Sequence, residues 1–458
     1  VIDPSRTAVS PVNSTDMTAL QKPSAVQTEK PAAPSDSVEL AGGASNAAPV
    51  LKNLAASMPG PSTAPPTLDV GEAMKAIAGG GVAAVYDFQT GGPIDSSPAV
   101  GPDGVVYVTG TDGHLYGFKD GKKTCDVSTG GAIHVPPGFG RDGTVYVGND
   151  IAEVTAVKDG QKLWGCQVGR EVGAAPVEGK DGVVLVGCKD GTIYFVEDGV
   201  MTGGYHVEDW MKAPVVTADG TIITKRHSGL VMAFKQKHGL FGSKIVDQWE
   251  MKTSDGISSS NSGTVIDSRG IVYTGGADGN LYAIDRGKPV WAFPTKARIN
   301  STPCLGPDGT VFVGNDGGKL SAVKDGREAW SYKTGGAIQG APSRGSDGTI
   351  FVGSDDGHVY ALKDGALAWK FDAGEPVRTS PVQAPDGTVY VTLANGHVLG
   401  LRAVTDQMKD SLKNMVESVD ESGSADKKPS VESDESFVVI DGVKIEKKAD
   451  KAGAKKQD

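Results

Sequence analysis

Residues 346–353 read Ser346-Asp347-Gly348-Thr349-Ile350-Phe351-Val352-Gly353, and upstream Pro307-Asp308-Gly309-Thr310-Val311-Phe312-Val313-Gly314 repeats the pattern. Each run is followed by an Asp-Gly or Gly-Gly turn, an alternating strand, a Lys-Asp-Gly turn and a strand that carries a Trp. Outward from these two copies the anchor recurs at Asp103, Asp142, Asp181, Asp219, Arg269, Asp308, Asp347 and Asp386, each followed by Gly. The intervals are 39, 39, 38, 50, 39, 39 and 39 residues, the long one holding the insertion His238 to Lys244. Self-similarity at a period near forty points to radially repeated four-stranded units.

Period-two alternation between Gly and Asp punctuation resolves each unit into strands. In the seventh unit strand A is expected at Ala337 to Ser343, B at Thr349 to Gly353, C at His358 to Lys363 and D at Ala368 to Asp372. The Asp-Gly pairs between them suit tight hairpins with positive φ at both central residues. The eighth unit ends after strand C at Arg402, whereas Val85-Tyr86-Asp87-Phe88 before the first unit matches Ala368-Trp369-Lys370-Phe371. The amino-terminal strand is therefore expected to close the last blade. The fold class is all-β: an eight-bladed propeller of four-stranded antiparallel blades over 79–404, whose closure leaves only short protected edges.

The Asp-Gly-Thr-Val-Tyr-Val-Gly run, together with Trp330-Ser331-Tyr332-Lys333-Thr334-Gly335-Gly336, resembles the PQQ-like repeats of quinoprotein-type, BamB-like eight-bladed propellers. The resemblance implies two kinds of function, because such blades serve both quinoprotein dehydrogenases and non-enzymatic assembly lipoproteins. It also implies that the outer-strand Trp docks one blade on the next. This Trp stands at 164, 249, 291, 330 and 369, is replaced by Tyr86 and Cys125, and is lost around Gly203. Blades one and three are thus expected to be looser.

A dehydrogenase of this family would hold PQQ with Ca²⁺ on carboxylate and amide oxygens, use an Asp base and often carry a disulfide between adjacent Cys residues. The four Cys residues here, Cys125, Cys166, Cys188 and Cys304, are scattered over different blades, and the Asp residues sit mainly in Asp-Gly turns where a structural role suffices. No catalytic residue, metal ligand or cofactor is assigned. Scattered thiols favour a reducing, cytoplasmic compartment over a periplasmic one, and no Cys precedes Cys125 to take a lipid. A net charge of −11 without a basic stripe argues against nucleic acid. No apolar run approaches a bilayer span.

Candidate binding residues emerge where strand A approaches the channel. Pro98, Pro137, Pro176, Pro214, Pro303, Pro342 and Pro381 mark that strand, with Asn261 taking the place in the fifth unit. Four positions earlier stands an apolar ring, Ile94, Ile133, Val172, Trp210, Ile257, Ile299, Ile338 and Val377, expected to pack between blades. One position on, the ring becomes Asp95, His134, Gly173, Met211, Ser258, Asn300, Gln339 and Arg378. Alternation turns this second set away from the packing face. Asp95, His134, Asn300, Gln339 and Arg378 are the candidate binding residues, and Asp95 faces Arg378 across the closure point. His114, His358 and His397 share one repeat position, but blade geometry sets them too far apart for a common metal ion.

The flanks read differently. Residues 1–78 are rich in Ala, Pro, Ser and Thr and lack the apolar content that ordering needs, with a short helix expected at 68–77. The tail, 405–458, begins in an amphipathic stretch and then reads Glu432-Ser433-Asp434-Glu435-Ser436-Phe437-Val438-Val439-Ile440-Asp441-Gly442. An aromatic, two residues and Ile behind acidic residues resemble the LIR-type motif that binds ubiquitin-like modifiers of autophagy by strand addition, with Phe437 and Ile440 filling two pockets. The competing reading is a local hairpin, Phe437 to Ile440 and Val443 to Glu446 around Asp441-Gly442. The function expected from the whole is a non-enzymatic interaction or scaffold propeller with protein partners. The alternatives are a secreted effector acting in another cell and a quinoprotein-type dehydrogenase.

Overall fold

The computed structural model describes residues 81–207, 209–239, 242–253, 260–403, 437–440 and 443–446. The segments expected to be a disordered start, a helix at 68–77 and an amphipathic stretch after Val404 lie outside the described residues, as do Ile257 and Ser258.

Eight four-stranded antiparallel sheets form a propeller ring, seven of them simple meanders from the channel outward. Blade seven consists of Ser343–Arg344, Ile350–Gly353, His358–Lys363 and Ala366–Asp372. Strand B is buried throughout in most blades because both its faces meet neighbouring blades, so it reads as an unbroken Val/Ile/Phe run. The last blade is completed by the amino-terminal strand: Val82–Gln89 pairs antiparallel with His397–Ala403, from Val82 opposite Ala403 to Gln89 opposite His397.

Strand A is shorter than the alternation suggests. In blade seven only Ser343 and Arg344 pair with strand B. The preceding residues bond across blades instead: Ile338 N–H donates to Asn315 O of blade six at 3.1 Å, and Ala341 N–H to Ser380 Oγ of blade eight at 2.8 Å. Pro342 has no N–H to give a ladder. The inner segment is thus a crossover that ties three blades together.

The Asp-Gly turns are of two kinds. In the C–D hairpins both residues have positive φ, as at Asp325 (49°) and Gly326 (75°), which matches the twist of tight two-residue hairpins. In the A–B turns only the Gly is positive. Gly104 N–H closes a turn on Gly101 O, Gly101 N–H returns to Val105 O, and the Asp103 carboxylate caps Val105 N–H at 3.0 Å. That geometry is a turn followed by a glycine bulge.

On the outer edge every C–D pair carries a β-bulge at the same place, just before the Trp position. The extra residue increases local twist and spoils the edge for pairing with other chains. It also aims the Trp at the next blade: a Cβ on Gly365 would lie 2.9 Å from Trp330 Cγ, and one on Gly287 2.9 Å from Trp249 Cβ. Tyr86 of the closing strand docks on Gly121 of blade one in the same way. Blade three, which lacks the Trp, docks by other means. Tyr205 donates its hydroxyl to Asp247 of blade four at 2.6 Å, and its ring lies 4.7 Å from Phe234. In blade one the small Cys125 leaves more room, for a Cβ on Gly160 would find only Thr124 O, at 3.8 Å.

The insertion lengthens the C–D hairpin of blade four to Leu230–Gly239 and Gly242–Lys252, against six and seven residues in blade five.

Closure by the first strand has a measurable consequence. Val82 and Val85 are almost fully buried, and Tyr86 and Phe88 partly so. At ~1.5–3 kcal/mol per buried large side chain, deleting them costs several kcal/mol. A chain beginning at Gly79 is expected to melt like the full protein in thermal circular dichroism, and one beginning at Pro93 to melt well below it. Equal melting would show that the ring closes without this strand.

Candidate functional site at the channel mouth

One end of the channel is built from the B–C turns and the D–A crossovers. There Ile94, Ile133, Val172, Ile299, Ile338 and Val377 are at most 2 % exposed, as an interblade packing ring requires. Each fits against the residue that ends strand B of the previous blade: a Cβ on Gly314 would lie 2.2 Å from Ile338 Cγ2, and one on Gly353 2.4 Å from Val377 Cγ1. Glycine leaves that gap for Val172, Ile299, Ile338 and Val377, whereas Ile94 and Ile133 meet blades whose strand B ends in Thr392 and Thr109.

The next residue of each crossover faces the mouth, and all five candidates are held there by hydrogen bonds, three to turn carboxylates outside the candidate set and two to each other. Arg378 Nε donates to Asp355 at 2.9 Å, and Gln339 Nε2 to the other oxygen of the same carboxylate at 2.7 Å. Asn300 Nδ2 donates to Asp316 at 3.0 Å. His134 Nδ1 lies 2.7 Å from Asp95 Oδ2. Asp95 and Arg378 therefore do not pair across the closure point, each having found a partner on the other side. Asp316 and Asp355 are B–C turn residues, and their only signal in the sequence is an acidic residue two places after the strand-B glycine.

Two blades depart from the expected register. In blade five strand A is Thr264–Ile266, so Thr264 holds the Pro position and Asn261 the mouth position. Asn261 N–H donates to Asn300 Oδ1, and Gly263 N–H to Thr302 Oγ1, both 39 residues away, which confirms the alignment. In blade four Met211, not Trp210, takes the buried place at 1 % exposure. Its bridge to Arg226 matches that of Val172 to Cys188 in blade three. The 38-residue interval before it is the sequence signal: one residue is missing, and the crossover slips by one. Trp210 is thereby turned into the mouth. Its indole stacks on His227 at 5.6 Å and its Nε1 donates to Gly173 O at 3.3 Å.

The same sector holds the largest exception in the frame. Where the other blades end strand B in Gly or Thr, blade four has Lys225, fully buried, and where the crossover facing it should carry Ile, blade five has Ser260. Size is exchanged across the contact. The Lys225 ammonium donates to Gly275 O of blade five. Burial pushes its pKa down to about 7, helped by Lys212 and opposed by Asp278. Burial also lowers Lys212 and, with Lys212 as a second cause, His227.

Elsewhere the titratable groups are framework. Asp308 accepts from Lys324 Nζ and from Thr310 N–H and Oγ1, which together hold its carboxyl down at about 2. His114 and His397 each bond a carboxylate on the adjacent strand of their own blade, Asp126 and Asp87. The four thiols are free, and burial raises Cys125 to about 11 and Cys188 to about 12. The donor set does not suit a quinone held by calcium. The mouth carboxylates Asp95, Asp316 and Asp355 are already engaged by His134, Asn300, Gln339 and Arg378. Among the described residues no helix is long and apolar enough to cross a membrane.

Phe437 and Ile440 lie on the first strand of a two-stranded hairpin, Phe437–Ile440 paired with Val443–Glu446. Its register sets Phe437 opposite Glu446 and Ile440 opposite Val443.

The buried lysine makes a prediction about pH. A Lys whose folded pKa lies below its unfolded value of about 10.4 destabilises the fold most below the folded pKa, where a charge is buried. Stability then rises as pH climbs from about 7 toward the unfolded value, because the unfolded state binds the extra proton. K225M is expected to melt above the natural protein at pH 6, the gap narrowing steadily toward pH 10. A gap independent of pH would mean that Lys225 titrates normally.

A family model described as outer membrane protein assembly factor BamB matches residues 120–286, 227–345 and 277–438. Among solved structures, BamB from Moraxella catarrhalis superposes with a TM-score of 0.58 at 18% identity, covering 70% of this chain and 97% of that one. Sqt1 from Saccharomyces cerevisiae gives a TM-score of 0.58 at 13% identity, covering 70% and 98%. At such identities the likeness is one of fold. A search of curated protein sequences found no match. With the repeat, the ring and the family model in agreement over most of its length, the chain belongs to the PQQ-like repeat family described as outer membrane protein assembly factor BamB.

Proposed function

We propose that this protein is a non-enzymatic interaction scaffold whose partner proteins dock at the channel mouth. One observation carries the reading: the blade frame is repeated around the ring, while the mouth position changes chemistry from blade to blade, through Asp95, His134, Asn300, Gln339 and Arg378. A surface kept only for solubility has no need of held orientations, yet these side chains are fixed by hydrogen bonds to neighbouring elements. The family description, an assembly factor, agrees with such a role.

Affinity capture with the full chain tests it. The triple variant N300A, Q339A and R378A should retain captured partners at least ~10-fold less well, the loss expected when contacts worth over 1 kcal/mol are removed. Changes at the opposite end of the blades that each remove one positive charge, K158Q and K324Q, should retain them fully. Equal capture by both variants would refute the mouth as the docking face.

A second reading concerns the tail. Among the described residues the hairpin pairs one edge of Phe437–Ile440, which leaves the other edge for strand addition to a ubiquitin-like modifier or another sheet protein. Phe437→Ala combined with Ile440→Ala should abolish every interaction that depends on the tail, measured by the same capture. An unchanged set would leave the tail without a linear motif.

A further inference from the structure

The sector of the mouth around blade four differs from the rest in charge. Five cationic or titratable basic side chains, Lys189, Lys212, Lys225, Arg226 and His227, gather there on a protein of net charge −11. Their countercharges are unevenly placed. Glu171 bonds Lys189. Asp209 instead caps Ser228 N–H at 2.9 Å, and Asp278 is taken by Asn280 and by Tyr282. Among the described residues Lys212 and Lys225 meet only neutral oxygens, Asn261 Oδ1 at 3.1 Å and Gly275 O respectively. The buried Nδ1 of His227 has no hydrogen-bond partner among them. Lys225 is fully buried, and an ammonium in that position needs more than one acceptor.

Trp210 sits at the centre of this cluster. The ammonium groups of Lys189 and Lys212 lie 5.6 Å and 5.1 Å from its ring centroid, and His227 stacks on it. An amphipathic indole flanked by lysines offers an apolar platform with charge at its rim. Side chains two residues apart on an extended chain are about 7 Å apart, so one strand can present acidic groups to both lysines while its backbone crosses the indole.

We propose that this sector is a docking site for an acidic peptide segment of a partner protein, a reading that rests on the scaffold function above and specifies the chemistry of its partner. Lys225 is wholly buried, Lys212 half-buried and Lys189 exposed, a gradation in depth that suits a strand entering the mouth and not a planar lipid surface. The net negative charge of the whole chain disfavours nucleic acid. Lys212, which meets no carboxylate among the described residues, makes the direct ion pair, and Lys189, shared with Glu171, makes a second.

The test uses the full chain and a fluorescein-labelled decapeptide of alternating Glu and Ser, read by fluorescence anisotropy. Saturable binding is expected, at least ~10-fold tighter than for the Gln–Ser peptide and weakened by salt. The pair K189E and K212E should reverse the preference toward a Lys–Ser peptide, a gain that a misfolded variant cannot give. Equal binding of the Glu and Gln peptides, or no reversal, overturns the inference. If capture through Asn300, Gln339 and Arg378 persists in that case, the scaffold reading stands and only the acidic site falls. The chain carries its own acidic run, Glu432, Asp434 and Glu435. Changing these to the amides should leave peptide affinity unchanged, and a ~10-fold tightening would assign the site to the tail and overturn the partner.

Discussion

A glycine facing a bulky side chain, at two radii, is the contact on which this ring depends. Near the channel Gly314 and Gly353 receive Ile338 and Val377; on the rim Gly287 and Gly365 receive Trp249 and Trp330. Each blade is thus both knob and gap, and the angle between blades follows from these two approaches. Interiors packed to crystal-like density tolerate little deviation at such places. Where the sequence departs from the rule, the partner departs with it, as Lys225 for Gly is met by Ser260 for Ile, and the missing Trp of blade three is met by Tyr205 reaching Asp247.

The fold was legible because its signals are local and repeated. Asp-Gly turns, period-two strands and the match of Val85–Phe88 to Ala368–Phe371 each state the same meander, and the structure follows them to the pairing of the closing strand. What was not legible is where inner strands stop. Residues 337–342 alternate like a strand, yet their N–H groups go to blades six and eight, a choice made by neighbours that no local pattern encodes.

The mouth shows the same division. Alternation correctly turned Asn300, Gln339 and Arg378 away from the packing ring, but their partners Asp316 and Asp355 come from turns some 16 to 23 residues away, and pattern gives no distance. Pro marks the start of strand A, and in blades four and five that mark misleads, through a one-residue deletion in one and a Thr in place of Pro in the other. That one-residue slip put Trp210 in the expected packing ring, and Lys225, at the end of strand B, lay outside the strand-A pattern altogether. Both stand where the repeat is broken, which is where a uniform frame can acquire individual chemistry.

The pairing of Val82–Gln89 with His397–Ala403 joins residues more than 300 positions apart. During synthesis the first strand leaves the ribosome before any blade exists, and its partner is among the last residues of the ring to emerge. Seven blades can form as local meanders, but the eighth stays three-stranded, with an open edge, until the two ends meet. Contacts of such sequence separation form late, and the waiting intermediate carries an unpaired strand edge. The latch therefore works as a check on completeness: a chain stopped before His397 is left with its first strand unpaired, exposed to proteolysis or aggregation.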